Sequence, residues 1–414
     1  MSEKRLSVLL VGIGGYGANF VDEFLNRGDD IPADVVGCIA PHPQKAFFYQ
    51  ALCDRNIPIY TDINDFWEAR KDFTPAVDLA VLSTPINFHK SGIIDCMRHG
   101  AQVLCEKPVC ATIDDVKEII AARDEVGGTC TIGYQWSHSE AITKFKADIL
   151  AGKYGKPLRM KTLVLWPRDF AYYGRGSGWA GKVSKNGEWT LDSVASNATA
   201  HYLHNIFFCA GNAMDRSADI ADFEVETYRA NDIETYDTCV LRGHLAPEAN
   251  NADILFVVSH ALAPEENFGP VFEYEFENGT CRFERTSEDS ETMIGYFKDG
   301  TTVDYGVPSG GVARKLRIAV DIALGKQNVI CGPEAASIHT KTIDAITEFR
   351  PDTPVFPEEL TVRTEERVYV KGLADVLHEC YENWKLPSEI GAPFATEKTA
   401  VDMTAYDSFG MKID

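Results

Sequence analysis

The chain has 414 residues, 45 % of them hydrophobic and 11 % aromatic, which excludes a disordered polypeptide and predicts two or three compact domains. Asp and Glu outnumber Lys and Arg by 62 to 40, a formal charge of −22. No basic run is long enough to neutralise a row of phosphates, which excludes nucleic acid as a partner.

Met1-Ser2-Glu3-Lys4-Arg5 leads into an apolar run, Leu6 to Val11, that is too short for a signal or membrane helix. No transmembrane segment is read anywhere, and no membrane partner is expected. The eleven cysteines are scattered, odd in number and without a C-x-x-C pair. That pattern predicts reduced thiols in a cytoplasmic protein, most of them packing as small apolar residues.

From residue 6 to about 135, short apolar runs alternate with amphipathic segments: Leu6 to Val11, Asp34 to Ala40, Asp78 to Ser83, Gln102 to Cys105 and Thr129 to Tyr134. Strand-helix alternation of this kind predicts a doubly wound α/β domain over 1–135, with a parallel sheet covered on both faces. Ile113, Val116, Ile119, Ile120 and Val126 fall at helical spacing, and Gly127-Gly128 supplies the stop. A further helix over about 139–151 leaves this domain.

Over 136–414 the period changes. Phe272, Tyr274 and Phe276 alternate with Glu273, Glu275 and Glu277 before Asn278-Gly279, and Asp299-Gly300 forms a second turn of the same kind. With Phe223 to Tyr228, Tyr236 to Leu241 and Ile254 to Ser259, these segments predict a mainly antiparallel sheet with one solvated or partner-covered face. Helices near 311–325 and 333–349 are expected to pack on it, and a helical extension is expected at the C-terminus.

The turn Gly12-Ile13-Gly14-Gly15-Tyr16-Gly17 follows the first strand and opens a helix, the context in which a G-x-G-x-x-G spacing signifies dinucleotide binding. Gly12 serves the tight turn, Gly14 admits a pyrophosphate to the backbone, Gly17 permits close helix-strand packing, and Gly15 and Tyr16 complete the loop. Where an acid would hold the adenosine ribose, the second strand ends in Ala40, with His42 and Lys45 beyond. Without that carboxylate a 2′-phosphate meets no repulsion, so NAD and NADP both remain open. Thr84, Pro85, Asn87 and His89 follow the fourth main strand, outside the carboxyl end of the sheet where ligands lie. Glu106-Lys107-Pro108 closes the domain and delivers a lysine beside a nicotinamide.

The glycine turn, Thr84-Pro85, Glu106-Lys107-Pro108 and the helix bearing Asn197-Ala198-Thr199-Ala200-His201, in that order, resemble the Gfo/Idh/MocA oxidoreductase family. The resemblance implies an N-terminal Rossmann domain and a C-terminal α/β domain whose open sheet often mediates homo-oligomers. It also implies hydride transfer on a sugar, polyol or glycoside, with Lys107 and His201 catalytic. Many members carry Asp-x-x-x-His-x-x-Asp on this helix, where Asn197 and His204 stand here, which moves the proton-transfer role towards His201.

Asn197, His201, His204 and Asn205 are expected to form one polar strip on a single helix, suited to a polyhydroxyl ligand, with Asp192 capping its start. A zinc site is not expected, because His201 and His204 lack further ligands in the sequence. Arg168, Tyr172 and Tyr173, in the aromatic segment from Trp166 to Trp179, together with Trp136, are read as substrate-binding residues. Packing against another subunit is the competing reading of that segment. Two alternative functions stand beside the dehydrogenase: glycoside cleavage through transient oxidation, and a non-catalytic dinucleotide-binding regulator.

Overall fold

The computed structural model describes residues 5–27, 30–175, 178–287, 290–309 and 311–413, and the side chains of all of these except 284–287 and 290. The lead-in residues 1–4 and residues 176–177 of the aromatic segment lie outside them. The chain divides into two compact units: Met1–Cys110 with Asp114–Ser139 and Ser309–Ala336, and Ala111–Ile113 with Glu140–Pro308 and Ser337–Asp414.

In the first unit β1 (Leu6–Val11), α1 (Ala18–Arg27), β2 (Ala33–Ile39), α2 (Tyr49–Asp54), β3 (Ile59–Tyr60) and α3 (Ile63–Ala69) form one half. The other half is β4 (Leu79–Leu82), α4 (His89–Arg98), β5 (Gln102–Cys105), α5 (Ile113–Val126) and β6 (Cys130–Ile132). All six strands pair in parallel in the order β3-β2-β1-β4-β5-β6. The order reverses between β1 and β4, so the segments after β1, β4 and β5 emerge at the switch point of a doubly wound sheet. β4 is buried at all four positions, as a strand covered on both faces requires.

The second unit begins with α6 (Glu140–Leu150), β7 (Pro157–Leu165), α7 (Phe170–Tyr173), β8 (Ser184–Lys185) and β9 (Glu188–Trp189). A π-helical turn, Val194–Ala198, then leads into α8 (Ala200–Ala210). There follow β10 (Ile220–Tyr228), β11 (Thr238–Leu245), β12 (Asp253–Ser259), β13 (Phe268–Phe276), β14 (Gly279–Ser287), β15 (Ser290–Phe297) and β16 (Thr302–Gly306). The chain then runs through α9 (Gly311–Ala323), α10 (Pro333–Phe349), β17 (Thr361–Arg363), β18 (Val368–Val370), α11 (Leu373–Asn383) and β19 (Thr399–Asp402).

Nine of these strands make one open sheet in the order β16-β15-β14-β13-β7-β12-β11-β10-β19. Only β7 and β12 run parallel, and every other neighbouring pair is antiparallel. Asn278-Gly279 does turn β13 into β14, and the alternating glutamates pair with cations, Glu273 with Arg282 at 2.6 Å and Glu275 with Arg159 at 3.1 Å. The C-terminal segment is only partly helical, since β19 closes one edge of the sheet against β10.

One packing expectation is overturned. α9 does not lie on the antiparallel sheet but belongs to the first unit, where Leu316, Ala319 and Val320 join Leu6, Val8, Leu10, Leu79 and Val81 in one core. Their i, i+3, i+4 spacing builds a single apolar face, and that face completes the cover of the parallel sheet.

Candidate functional site

In the first unit the glycine turn is shaped by contact and by emptiness. Gly12 adopts φ +86°, and a Cβ there would stand 2.5 Å from the Ser83 carbonyl oxygen; one on Gly17 would stand 2.0 Å from the Gly12 oxygen. These two glycines are required by their own backbone. A Cβ on Gly14, whose backbone is extended, would meet nothing within 4 Å, so its lack of a side chain leaves room for a ligand, whereas Gly15 has open space but a left-handed φ of +50° that itself favours glycine. Behind them the Gly15–Gly17 turn runs into α1, whose first amides and positive dipole end favour phosphate. The residues present therefore fit a dinucleotide.

Ala40 is buried at the end of β2, its amide donating to the Tyr60 carbonyl at 3.0 Å, while His42 and Lys45 are exposed beyond it. Thr84, Pro85 and Asn87 are half-buried after β4, and the Thr84 hydroxyl, itself buried, bonds to no described residue. His89 is wholly enclosed, its Nδ1 2.8 Å from the Pro108 carbonyl and its Nε2 2.9 Å from the Thr84 carbonyl. Burial lowers its pKa against the pull of those two oxygens. His89 thus ties the loop after β4 to the tripeptide after β5.

Glu106 and Lys107 part company at the end of β5. Lys107 is half-buried, whereas Glu106 turns inward and forms an ion pair with Lys315 of α9, a residue the sequence reading did not single out. Lys315 also donates to the Tyr16 hydroxyl at 3.0 Å and lies 4.6 Å from that ring's centroid. Burial would lower the pKa of this ammonium, but Glu106 and Tyr16 outweigh it and raise it. Burial likewise raises the pKa of the Tyr16 phenol. Trp136 is enclosed in the turn after β6, at 4 % exposure.

In the second unit the expected polar strip is broken. Ser193, not Asp192, caps the π-helical turn, exchanging bonds with Ser196 in a capping box. Asp192 instead accepts from the Gly181 amide at 2.6 Å and from the Asn197 amide group at 2.8 Å. Because the π-helical turn ends at Thr199 and α8 starts afresh, the i, i+4, i+8 arithmetic fails across that junction. Asn205 points into the core and donates to the Tyr274 hydroxyl at 2.9 Å. Every residue of α8 is buried, His201 at 9 % and His204 at 0 %, and the His204 ring tilts against Phe208 with centroids 5.7 Å apart.

Arg168, Tyr172 and Tyr173 are brought together around α7, which Asp169 caps by accepting from the Tyr172 amide at 2.8 Å. Arg168 and Arg175 stack over Tyr172, their guanidinium carbons 4.9 and 3.5 Å from its centroid. His260, missed in the sequence because a lone histidine after a strand carries no signal, bonds the Trp166 carbonyl through Nδ1 at 2.8 Å. Burial and then Arg168 push its pKa down to about 3. Trp166 meets Tyr202, the neighbour of His201, edge to face at 5.5 Å.

Among the described residues no three His, Cys, Asp or Glu side chains group as metal ligands, and no helix is long and apolar enough to cross a membrane. All eleven cysteines are free thiols, and only Cys53 is exposed.

Residues 6–134 match the family described as "Oxidoreductase family, NAD-binding Rossmann fold". Inositol 2-dehydrogenase from Mycolicibacterium smegmatis is 28 % identical over 162 residues, 38 % of this chain and 43 % of that protein. The scyllo-inositol 2-dehydrogenase (NAD(+)) of Bacillus subtilis is 24 % identical over 159 residues, 38 % of this chain and 44 % of that protein. The chain therefore spans under half the length of these curated relatives. Among solved structures, the WlbA dehydrogenase of Bordetella pertussis, in complex with NADH and UDP-GlcNAcA, aligns with a TM-score of 0.66 at 20 % identity, covering 84 % of this chain and 97 % of that one. The fold is shared along almost that whole chain. Residues 6–134 are thus similar to the NAD-binding Rossmann domain of the Gfo/Idh/MocA oxidoreductase family.

Proposed function

We propose that the protein is an NAD(P)-dependent oxidoreductase that transfers hydride between the nicotinamide and a secondary hydroxyl or carbonyl of a sugar, polyol or glycoside. The observation that carries this reading is the open backbone at Gly14, at the same carboxyl end of the parallel sheet as the Glu106-Lys107-Pro108 turn after β5. Its relatives by sequence include inositol dehydrogenases, named for oxidation of a cyclic polyol.

In this reading Gly12 to Gly17, Ala40, Thr84, Pro85, Asn87 and the Glu106-Lys107 backbone hold the dinucleotide, with His89 fixing the two loops. When bound, the nicotinamide supplies the hydride acceptor or donor. Lys107 polarises the reacting oxygen or relays its proton, and His201 is the acid/base. Asn197, His204, Trp136, Arg168, Tyr172 and Tyr173 orient the carbohydrate. Asp192, by accepting from the Asn197 amide group, sets which way that amide points.

Either NAD or NADP is compatible with Ala40. We also propose a cytoplasmic homo-oligomer associating through the nine-stranded sheet, a reading supported by the free thiols and by the open architecture of that sheet. The test is a panel of sugars and polyols with each cofactor, read as reduced-nicotinamide absorbance. Signal with at least one pair supports the reading. Silence with every pair, or aglycone release without net cofactor turnover, refutes it.

A further inference from the structure

Guanidinium groups in this chain that lack a carboxylate usually find another oxygen. Arg350 bonds Thr227, Thr396, Thr399 and the Glu397 carbonyl, and Arg314 bonds the His138 carbonyl. Arg168 differs. Its guanidinium carbon lies 5.5 and 4.9 Å from the ring centroids of Trp166 and Tyr172, and its Nε is buried with no acceptor among the described residues. A buried guanidinium donor demands an acceptor, and the described residues supply none to this Nε.

The surroundings narrow what the acceptor is. Arg175 stacks on the same Tyr172 ring, donates to the Tyr172 carbonyl and also bonds the Tyr172 phenol. Neither arginine has an ion pair among the described residues, in a chain of 62 acids. His260, 1 % exposed and 5.5 Å from Tyr172 between ring centroids, has an Nε2 without a partner among the described residues, and the buried Tyr173 hydroxyl has none either. The nearby carboxylates are committed, Asp169 to the Tyr172 amide and Asp192 to Gly181 and Asn197.

Two cations drawn to one ring repel each other where water is scarce, and an anion between them would relieve that repulsion. A neutral hydroxyl would not. The guanidinium fork also matches carboxylate and phosphate oxygens two at a time.

We propose that Arg168 and Arg175 receive an anionic group of the ligand, a carboxylate or a phosphate, so that the preferred carbohydrate is an acidic sugar rather than a neutral polyol. This rests on the carbohydrate reading above and specifies its substrate class. Tyr172 spaces the two cations, while His260 and Tyr173 offer neutral donors beside them. Trp166, over which Arg168 lies, meets Tyr202, the chain neighbour of His201, edge to face.

The experiment is calorimetric titration of the full chain, with cofactor present, using D-glucuronate and D-glucose 6-phosphate against neutral D-glucose and myo-inositol at constant ionic strength. The acidic ligands are expected to bind at least about tenfold more tightly. Arg175→Gln should erase on the order of tenfold of that advantage while leaving neutral ligands within about twofold; Arg168→Gln should also erase it, and Arg168→Lys should restore part of it. Preference for glucuronate over the phosphate, or the reverse, identifies the anion.

Equal binding of acidic and neutral sugars by the wild type overturns the proposal. So does equal weakening of both classes in Arg175→Gln, which would make the stack structural. Binding of neither class overturns it as well. Neutral sugars oxidised without acid preference would leave the redox reading standing and this inference refuted. Acid-selective binding without hydride transfer to either cofactor would do the opposite.

Discussion

Lys315 and Glu106, 209 residues apart in sequence, form a buried ion pair inside the first unit. The same ammonium bonds the Tyr16 hydroxyl and lies beneath that ring, so one cation on α9 anchors both the tripeptide after β5 and the aromatic residue of the glycine turn. Removing one member of such a pair strands the other charge in a dry site. Lys315→Met should therefore destabilise the unit by about 3–5 kcal/mol, and Lys315→Met with Glu106→Gln should recover most of it. Melting temperatures of the two variants decide the matter; a single variant as stable as wild type would remove any structural role for the pair.

Gly14 and Gly17 separate binding from folding. At Gly17 an added methyl would sit 2.0 Å from a backbone oxygen, so Gly17→Ala is expected to cost about 1–3 kcal/mol or more. At Gly14 the backbone is extended, with φ −99° and ψ 173°, and nothing lies within 4 Å of the added carbon. Gly14→Ala should fold within about 0.5 kcal/mol of wild type and yet lose roughly tenfold or more in dinucleotide affinity, the methyl occupying the space left for the pyrophosphate. Thermal melts paired with quenching of tryptophan fluorescence by NADH measure both. A Gly14→Ala protein binding NADH as tightly as wild type would contradict the assignment.

The first unit was legible because its evidence is local. Alternating apolar runs locate β1, β2, β4, β5 and β6 to within about a residue or two, and the glycine spacing marks the turn. β3, only two residues long, carries no period to read. The partner of α9 was not legible: Leu316, Ala319 and Val320 specify an apolar face but not which sheet receives it. Lys315 was hidden for the same reason, since an ammonium acquires its meaning from a carboxylate far off in sequence. Ser193 rather than Asp192 caps the turn before α8 because the chain there winds as a π-helix, and residue spacing alone does not reveal a change of pitch.

Lys107 and His201 are expected to fail in different ways. Lys107→Ala should lower kcat/KM by about 10²–10⁴ while leaving NADH affinity within a few-fold, because the role proposed for the side chain is on the reacting oxygen and not on the dinucleotide. His201→Gln should lower kcat by a similar factor and abolish the acid limb of the pH-rate profile, which a merely structural histidine would not do. Steady-state kinetics across pH 5–9 with the most active sugar test both. An unchanged profile in His201→Gln would reassign the acid/base.

Acid should weaken both units through buried imidazoles. Burial pushes His138 down to about 4 and His260 down to about 3, from an ordinary 6.5, and lowers His89 as well. Between pH 6.5 and those folded-state values the unfolded chain binds more protons than the folded one, so stability rises with pH and is lost on acidification. By pH 5 the loss is about 2 kcal/mol for each of His138 and His260. Glu389, held down to about 2 beside Arg242, depends on pH with the same sign but in a lower window: its contribution is complete above the ordinary carboxylate range and fails only as pH falls below it. His138 belongs to the first unit and His260 to the second, so urea unfolding should shift to lower midpoints at pH 5 than at pH 7.5 in both transitions. His260→Gln should flatten the dependence of the second unit alone, and midpoints independent of pH in this range would mean that neither imidazole is kept neutral by the fold.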